Sequence, residues 1–118
     1  MMDNIFFTIL LVTYNSSWEK TKVTLDSIIN QKFDGYELVI SDDGSRNNLF
    51  PQIENYLKEK NFLNYTLVEN KINQGTVKNL LSGLKFVKGK YVKDIGSGDL
   101  LYDQNTISNM YHFMVNEN

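Results

Sequence analysis

The chain has 118 residues, of which 42% are hydrophobic and 22% charged, the proportions of one globular domain rather than a disordered or fibrous chain. Twelve Lys+Arg against fourteen Asp+Glu leave a net charge of −2, so no broad basic field draws in nucleic acid or an anionic membrane. With no cysteine and a single histidine, His112, disulfides, thiolate catalysis, Cys-ligated zinc and multi-histidine sites are excluded.

Ile5–Thr13 is a continuous apolar and β-branched run, the signature of a strand covered on both faces. It falls short of the ~18 apolar residues of a membrane span. Met1-Met2-Asp3-Asn4 ahead of it carries no positive charge, so it reads as a strand rather than a signal peptide. Ser16 and Glu19 have the S-x-x-E spacing of a capping box and predict a helix to about Gln31, with Trp18, Leu25, Ile28 and Ile29 inward. Tyr36–Ser41 is a second strand, running into Asp42-Asp43-Gly44-Ser45. Pro51 suits the first turn of a second helix, where its missing N–H costs nothing, and Ile53, Tyr56 and Leu57 give that helix an inner face.

Tyr65–Glu69 is a third strand. After the loop Asn70–Gly75, a third helix is expected to turn Val77, Leu80, Leu81, Leu84 and Val87 inward and to stop at Gly89. Lys90–Ile95 is a fourth strand, followed by the loop Gly96–Asp99. A last helix from about Gln104 to Val115 carries Ile107, Met110, Tyr111 and Met114. Strands alternating with helices predict an α/β fold: one domain over residues 1–118, with a Rossmann-like parallel sheet of about four strands and helices on both faces.

Open α/β sheets bind ligands beyond the carboxyl ends of their strands. That places Thr13-Tyr14-Asn15, Asp42-Asp43-Gly44-Ser45 and Gly96-Ser97-Gly98-Asp99 at the candidate site. The first loop has neither G-x-G-x-x-G nor a P-loop lysine, and offers instead a flat aromatic, Tyr14, suited to stacking on a nucleobase. Two carboxylates after strand two repel phosphate but accept hydrogen bonds from base imino groups and ribose hydroxyls, or ligate Mg²⁺ or Mn²⁺. Asp99 is the remaining acid placed to hold such a metal. Asp-Gly after a strand is also ordinary turn chemistry, so the residues alone leave both readings open. His112 reads as a surface residue on the flank of the last helix.

In order and spacing, ILLVTYN (9–15), LDSIINQKFDGYELVISDDGS (25–45), NKINQGTVKNLLSGL (70–84) and GKYVKDIGSGDLL (89–101) resemble glycosyltransferase family 2. These are inverting nucleotide-sugar transferases of GT-A fold, and the resemblance covers nearly the whole chain. It implies that Thr13, Tyr14 and Asn15 lie at the base of a nucleotide, commonly uracil, with Asp43 accepting from the base and Asp42 supporting the pocket. Gly75, Lys78 and Asn79 match a stretch near the sugar diphosphate, with lysine in place of the usual arginine. Asp99 matches the last acid of the Asp-x-Asp-Asp metal motif, while Gly96 and Gly98 stand where the family has aspartates. Val12 replaces a frequent proline.

The resemblance also implies a longer enzyme, with this chain as the donor-binding half of a truncated GT-A fold. The acceptor pocket and the general base of an inverting transfer are then expected outside it, leaving this chain alone inactive and without a catalytic residue of its own. The expected partners are a nucleotide-sugar donor, UDP-type favoured, and a glycan or lipid-linked acceptor held by the missing region. The expected cofactor is Mn²⁺ or Mg²⁺, and the expected process is cell-surface polysaccharide synthesis. The alternative is a naturally short, non-catalytic module serving binding or assembly. A phosphoacceptor receiver domain is excluded, since its acidic pair belongs after strand one, where this chain has Thr13-Tyr14-Asn15. An exposed edge on strand four predicts a homodimer. Nucleotide-sugar chemistry and the lack of a signal segment predict a cytoplasmic location, with contact to the inner membrane face through other segments left open.

Overall fold

The structure, a computed structural model, describes residues 5–117, so segment 1–4, which bore on the signal-peptide reading, lies outside the described residues. Four strands and four helices alternate: β1 (Phe7–Thr13), α1 (Trp18–Ile29), β2 (Tyr36–Asp43), α2 (Phe50–Glu59), β3 (Tyr65–Asn70), α3 (Thr76–Leu84), β4 (Tyr91–Gly96) and α4 (Thr106–Glu117). All neighbouring strands run parallel, in the order β3-β2-β1-β4. Two crossovers step from β1 outward to β3, and α3 then carries the chain back across the sheet to β4. Crossovers of one hand that travel in opposite directions place their helices on opposite faces.

The larger core lies on the face shared by Phe7, Ile9 and Leu11, where Leu25, Ile28, Ile53, Leu57 and Ile107 of three helices meet the sheet. At its lower end Phe6, Phe33 and Tyr111 stack at ring separations of 4.8 and 5.1 Å, fastening α4 to the sheet. The other face, with Leu10 and Val39 fully buried, belongs to α3.

Helix α3 differs from its expected orientation. Asn79 and Gly83 are its buried residues, whereas Val77, Leu81 and Leu84 are exposed, Val77 by 70%. The reason is the closeness of the helix to the sheet: a Cβ on Gly83 would stand 2.5 Å from Leu10 Cδ1 and 3.1 Å from Ser41 Cβ. A face without a side chain at that point packs closest, so the apolar stripe is turned away. Nor does Gly89 end this helix, which stops at Leu84. Gly89 marks a close approach instead, since a Cβ there would lie 2.6 Å from the Thr8 backbone nitrogen. Beside it the buried Glu37 accepts from Thr8 Oγ1 and from the Lys88 N–H, each at 2.7 Å.

The cap of α1 is also displaced by one residue. Ser17, in extended conformation, accepts from the Lys20 N–H at 3.2 Å, so Ser16 and Glu19 form no capping box and Glu19 sits in the first turn. Pro51 opens α2 as expected.

Tyr36 closes the base of β2, its hydroxyl donating to the Ile28 carbonyl at 2.7 Å. Burial, and next the carboxylate of Asp34, raise its pKa from 10.0 to about 12. Tyr56 rises likewise to about 12, chiefly through its hydrogen bond to Asp26. A phenol whose pKa is raised by folding holds its proton more tightly in the folded state. The stabilisation is therefore whole below pH 10.0 and is lost as pH climbs through about 12. Melting temperatures recorded across that window are expected to fall, and to fall less steeply in Tyr36→Phe. Equal slopes in both proteins would show that Tyr36 does not carry the effect.

Candidate functional site

The chain leaves β1 toward β2 on one side and reaches β4 on the other, so a crevice opens at the carboxyl ends of β1 and β4. An open cleft of about 450 Å³ lies there. Thr13 and Tyr14 from β1, Asp43 from β2, and Gly75 and Asn79 from the start of α3 all line it, with Ser97 from the tip of β4. Tyr14 is 50% exposed and lines the cleft rather than packing in the core.

The two neighbouring acids do different work. Both lie within β2, which runs two residues beyond its expected end, and both are 3% exposed. Asp42 accepts from Thr13 Oγ1 at 2.7 Å, from Ser45 Oγ at 2.6 Å and from the Ser45 N–H at 2.9 Å. It lines a small hollow next to the cleft, not the cleft itself, and ties β1 to the turn after β2. Asp43 does face the cleft. One of its oxygens accepts from the Gln74 N–H at 2.8 Å and the other from the Gly75 N–H at 3.0 Å. It thus clasps the loop that opens α3 and leaves lone pairs over for a ligand.

That loop rests on Gly44, whose φ of +72° keeps it in the left-handed region and whose missing Cβ makes room for the Ile72–Asn73 backbone. Asn79 is a hub. Its amide nitrogen donates to the Ser41 carbonyl at 3.0 Å and, more weakly, to the Thr13 carbonyl at 3.4 Å. Its amide oxygen accepts from Ser41 Oγ at 2.7 Å and from Asn70 Nδ2 at 3.0 Å. One buried side chain therefore joins the tips of β1, β2 and β3 to α3.

The other expected site residues lie outside the cleft lining. Asn15, at φ 49°, donates its N–H to Ser45 Oγ at 2.8 Å and accepts from the Arg46 N–H at 3.0 Å, so it orders the turn after β2. Lys78 is exposed on the first turn of α3. Asp99 is exposed too, and its carboxylate turns back to accept from the Gly96 N–H at 3.1 Å. Ser16, Asn73, Thr76 and Ser97 line the cleft too, although no role was assigned to them. Of these, Ser97 alone was signalled by the sequence, through its place in the strand-four loop.

The donor set does not fit a divalent cation. Hard cations take about six oxygens, usually including several carboxylates. Among the described residues no three acidic or histidine side chains gather to hold a metal ion. Asp99 stands alone after Gly96 and Gly98, and Asp103, close in sequence, has its carboxylate on the Asn105 N–H at 2.8 Å.

Comparison with known proteins agrees with this architecture. The dolichyl-phosphate beta-glucosyltransferase of Dictyostelium discoideum is 25% identical over 120 residues, covering 94% of this chain and 37% of that protein. The crystal structure of S. aureus TarS 1–349 superposes with a TM-score of 0.84 at 26% identity, over 95% of this chain and 33% of that one. TarS has also been crystallised with UDP and with UDP-GlcNAc. The mannosyltransferase PcManGT from Pyrobaculum calidifontis, in complex with GDP-Man and Mn²⁺, shares the fold with a TM-score of 0.84 at 22% identity, over 94% of this chain and 32% of that one. The chain thus spans about a third of the length of these relatives. The model of the family "Glycosyl transferase family 2" matches residues 8–118, and the chain belongs to that family.

Proposed function

We propose that this chain is the donor-binding domain of a glycosyltransferase and holds a nucleoside-diphosphate sugar, UDP-type favoured, in the cleft at its strand tips. The observation that carries this reading is the convergence of Tyr14, Asp43, Gly75 and Asn79 on one opening, in a fold superposing on a UDP-binding relative. Tyr14 offers a face for the base, and Asp43 has acceptor capacity beyond its two loop hydrogen bonds for an imino N–H. In the whole enzyme an acceptor hydroxyl attacks the anomeric carbon as its bond to the diphosphate oxygen breaks, with inversion. The hydroxyl proton passes to a general base outside this chain. Asp99 alone makes no Mn²⁺ or Mg²⁺ site, so the leaving diphosphate falls to the hydrogen-bond donors of the cleft.

Because the chain spans a third of its relatives, we assign it binding without turnover. This agrees also with the second reading, a non-catalytic module that keeps the fold. A cytoplasmic place, where nucleotide sugars are made, fits the donor. Among the described residues no helix is long and apolar enough to cross a membrane.

Isothermal titration with UDP separates the two readings. Binding to the chain, lost in Asp43→Ala, supports the donor site. No heat with either UDP or GDP favours the module.

We propose further that the chain self-associates. Among the described residues the outer edge of β4 has no neighbouring strand, and Val92 within it is exposed. Sedimentation at high micromolar concentration is expected to give a dimer, and a monomer there defeats the proposal.

A further inference from the structure

The tip of β4 differs from a metal-binding loop in a way that points to another means of holding a diphosphate. The segment Gly96–Asp99 is fastened to α1 by one side chain. Thr24 Oγ1 donates to the Asp99 carbonyl at 2.7 Å and accepts from the Gly98 N–H at 2.8 Å. Thr21 adds a hydroxyl contact to Ser97 at 3.2 Å. So anchored, the loop has no freedom to bring a second acid beside Asp99, whose carboxylate already takes the Gly96 N–H. Asp43, the acid that lines the cleft among the described residues, keeps spare lone pairs, but one carboxylate does not make up the ligand set of a hard cation.

A cation is nevertheless at hand. The stem of Lys20, on the first turn of α1, lies along Gly98: a Cβ on that glycine would stand 3.6 Å from Lys20 Cδ and 3.9 Å from its Cβ and Cγ. These are ordinary van der Waals separations, so the lysine stem packs over Gly98 without strain. An ammonium carried on this exposed stem would meet a divalent ion with like charge, and a single carboxylate ligand offsets little of that. The neighbouring lining adds the hydroxyls of Ser16 and Thr76, which can donate to phosphate oxygens without a metal bridge, whereas the Thr13 hydroxyl is already given to Asp42.

We infer that this chain holds the diphosphate of its nucleotide without a divalent cation, with the Lys20 ammonium as the charge that meets it. The inference rests on the reading of the cleft as a nucleotide site. Titration of the full chain with UDP and with uridine, in EDTA and in Mn²⁺, tests it alongside Lys20→Met. UDP affinity is expected to be the same in EDTA as in Mn²⁺. Lys20→Met is expected to weaken UDP about tenfold, the size of one lost charge-assisted hydrogen bond, and to leave uridine unchanged. UDP binding that appears only with Mn²⁺ overturns this inference while leaving the nucleotide site standing. So does UDP affinity unchanged in Lys20→Met. Failure of both UDP and uridine to bind under either condition defeats the nucleotide site and this inference with it.

Discussion

Replacing Asn79 with leucine is expected to cost the fold about 3–5 kcal/mol, near the full stability of a small domain. Leucine has the same branched side-chain skeleton as asparagine with bulkier methyl ends, so the loss is chiefly one of hydrogen bonding. At 3% exposure no water reaches the site to replace the amide. Asn70 Nδ2 loses its acceptor, Ser41 Oγ loses one of two, and the carbonyls of Ser41 and Thr13 lose a shared donor. Each stranded buried group costs about 1–3 kcal/mol. Urea unfolding should show a midpoint far below that of the parent chain with the slope preserved. A midpoint within a few tenths molar of the parent would mean that the hub is not what joins the strand tips.

The second large effect belongs to Gly44→Ala. A Cβ there would stand 2.6 Å from the Asn73 nitrogen and 2.8 Å from the Ile72 carbonyl carbon, both backbone atoms with no rotamer to change. The left-handed φ adds about 1–2 kcal/mol and the overlap about 1–3 kcal/mol. To relieve the contact the 71–75 loop must lift, which pulls the Gln74 and Gly75 N–H groups off Asp43. Stability and UDP affinity are therefore expected to fall together. Gly75→Ala is the control, because Gly75 has φ +98° but nothing within 4 Å of its Cβ position. It should bear the strain alone. Equal losses in the two variants would show that the close approach at Gly44 is unimportant.

The order of elements was legible because each strand is a short apolar run and each helix begins at a polar or proline signal. The strand tips were legible too, since a parallel sheet directs ligands to that end whatever its side chains. Helix α3 was read the wrong way round. Its apolar residues Val77, Leu81 and Leu84 recur at helical spacing, and periodicity reports a stripe without saying what covers it. What turns the helix is the nearness of Gly83 to Leu10, a tertiary distance that no local pattern contains. Gly89 misled for the same reason, as closeness to β1 and helix termination both ask for glycine. The division between Asp42 and Asp43 was equally hidden. Adjacent residues on a strand point to opposite faces, so one acid meets Thr13 and Ser45 while the other meets the Gln74–Gly75 loop. Asn79 was singled out by resemblance as a ligand neighbour, and its partners also make it the hub that joins the strand tips at the cleft.

The Asp43 clasp bears on how fast a guest arrives. Since the carboxylate secures the loop through one lone pair on each oxygen, an incoming base has the others free and needs to displace nothing. On the proposed nucleotide reading these hydrogen bonds need no rearrangement to receive a base, so little ordering entropy is spent on capture. Association should accordingly be governed by diffusional encounter and show a single fast phase, with residence time, rather than arrival, separating good nucleotides from poor ones.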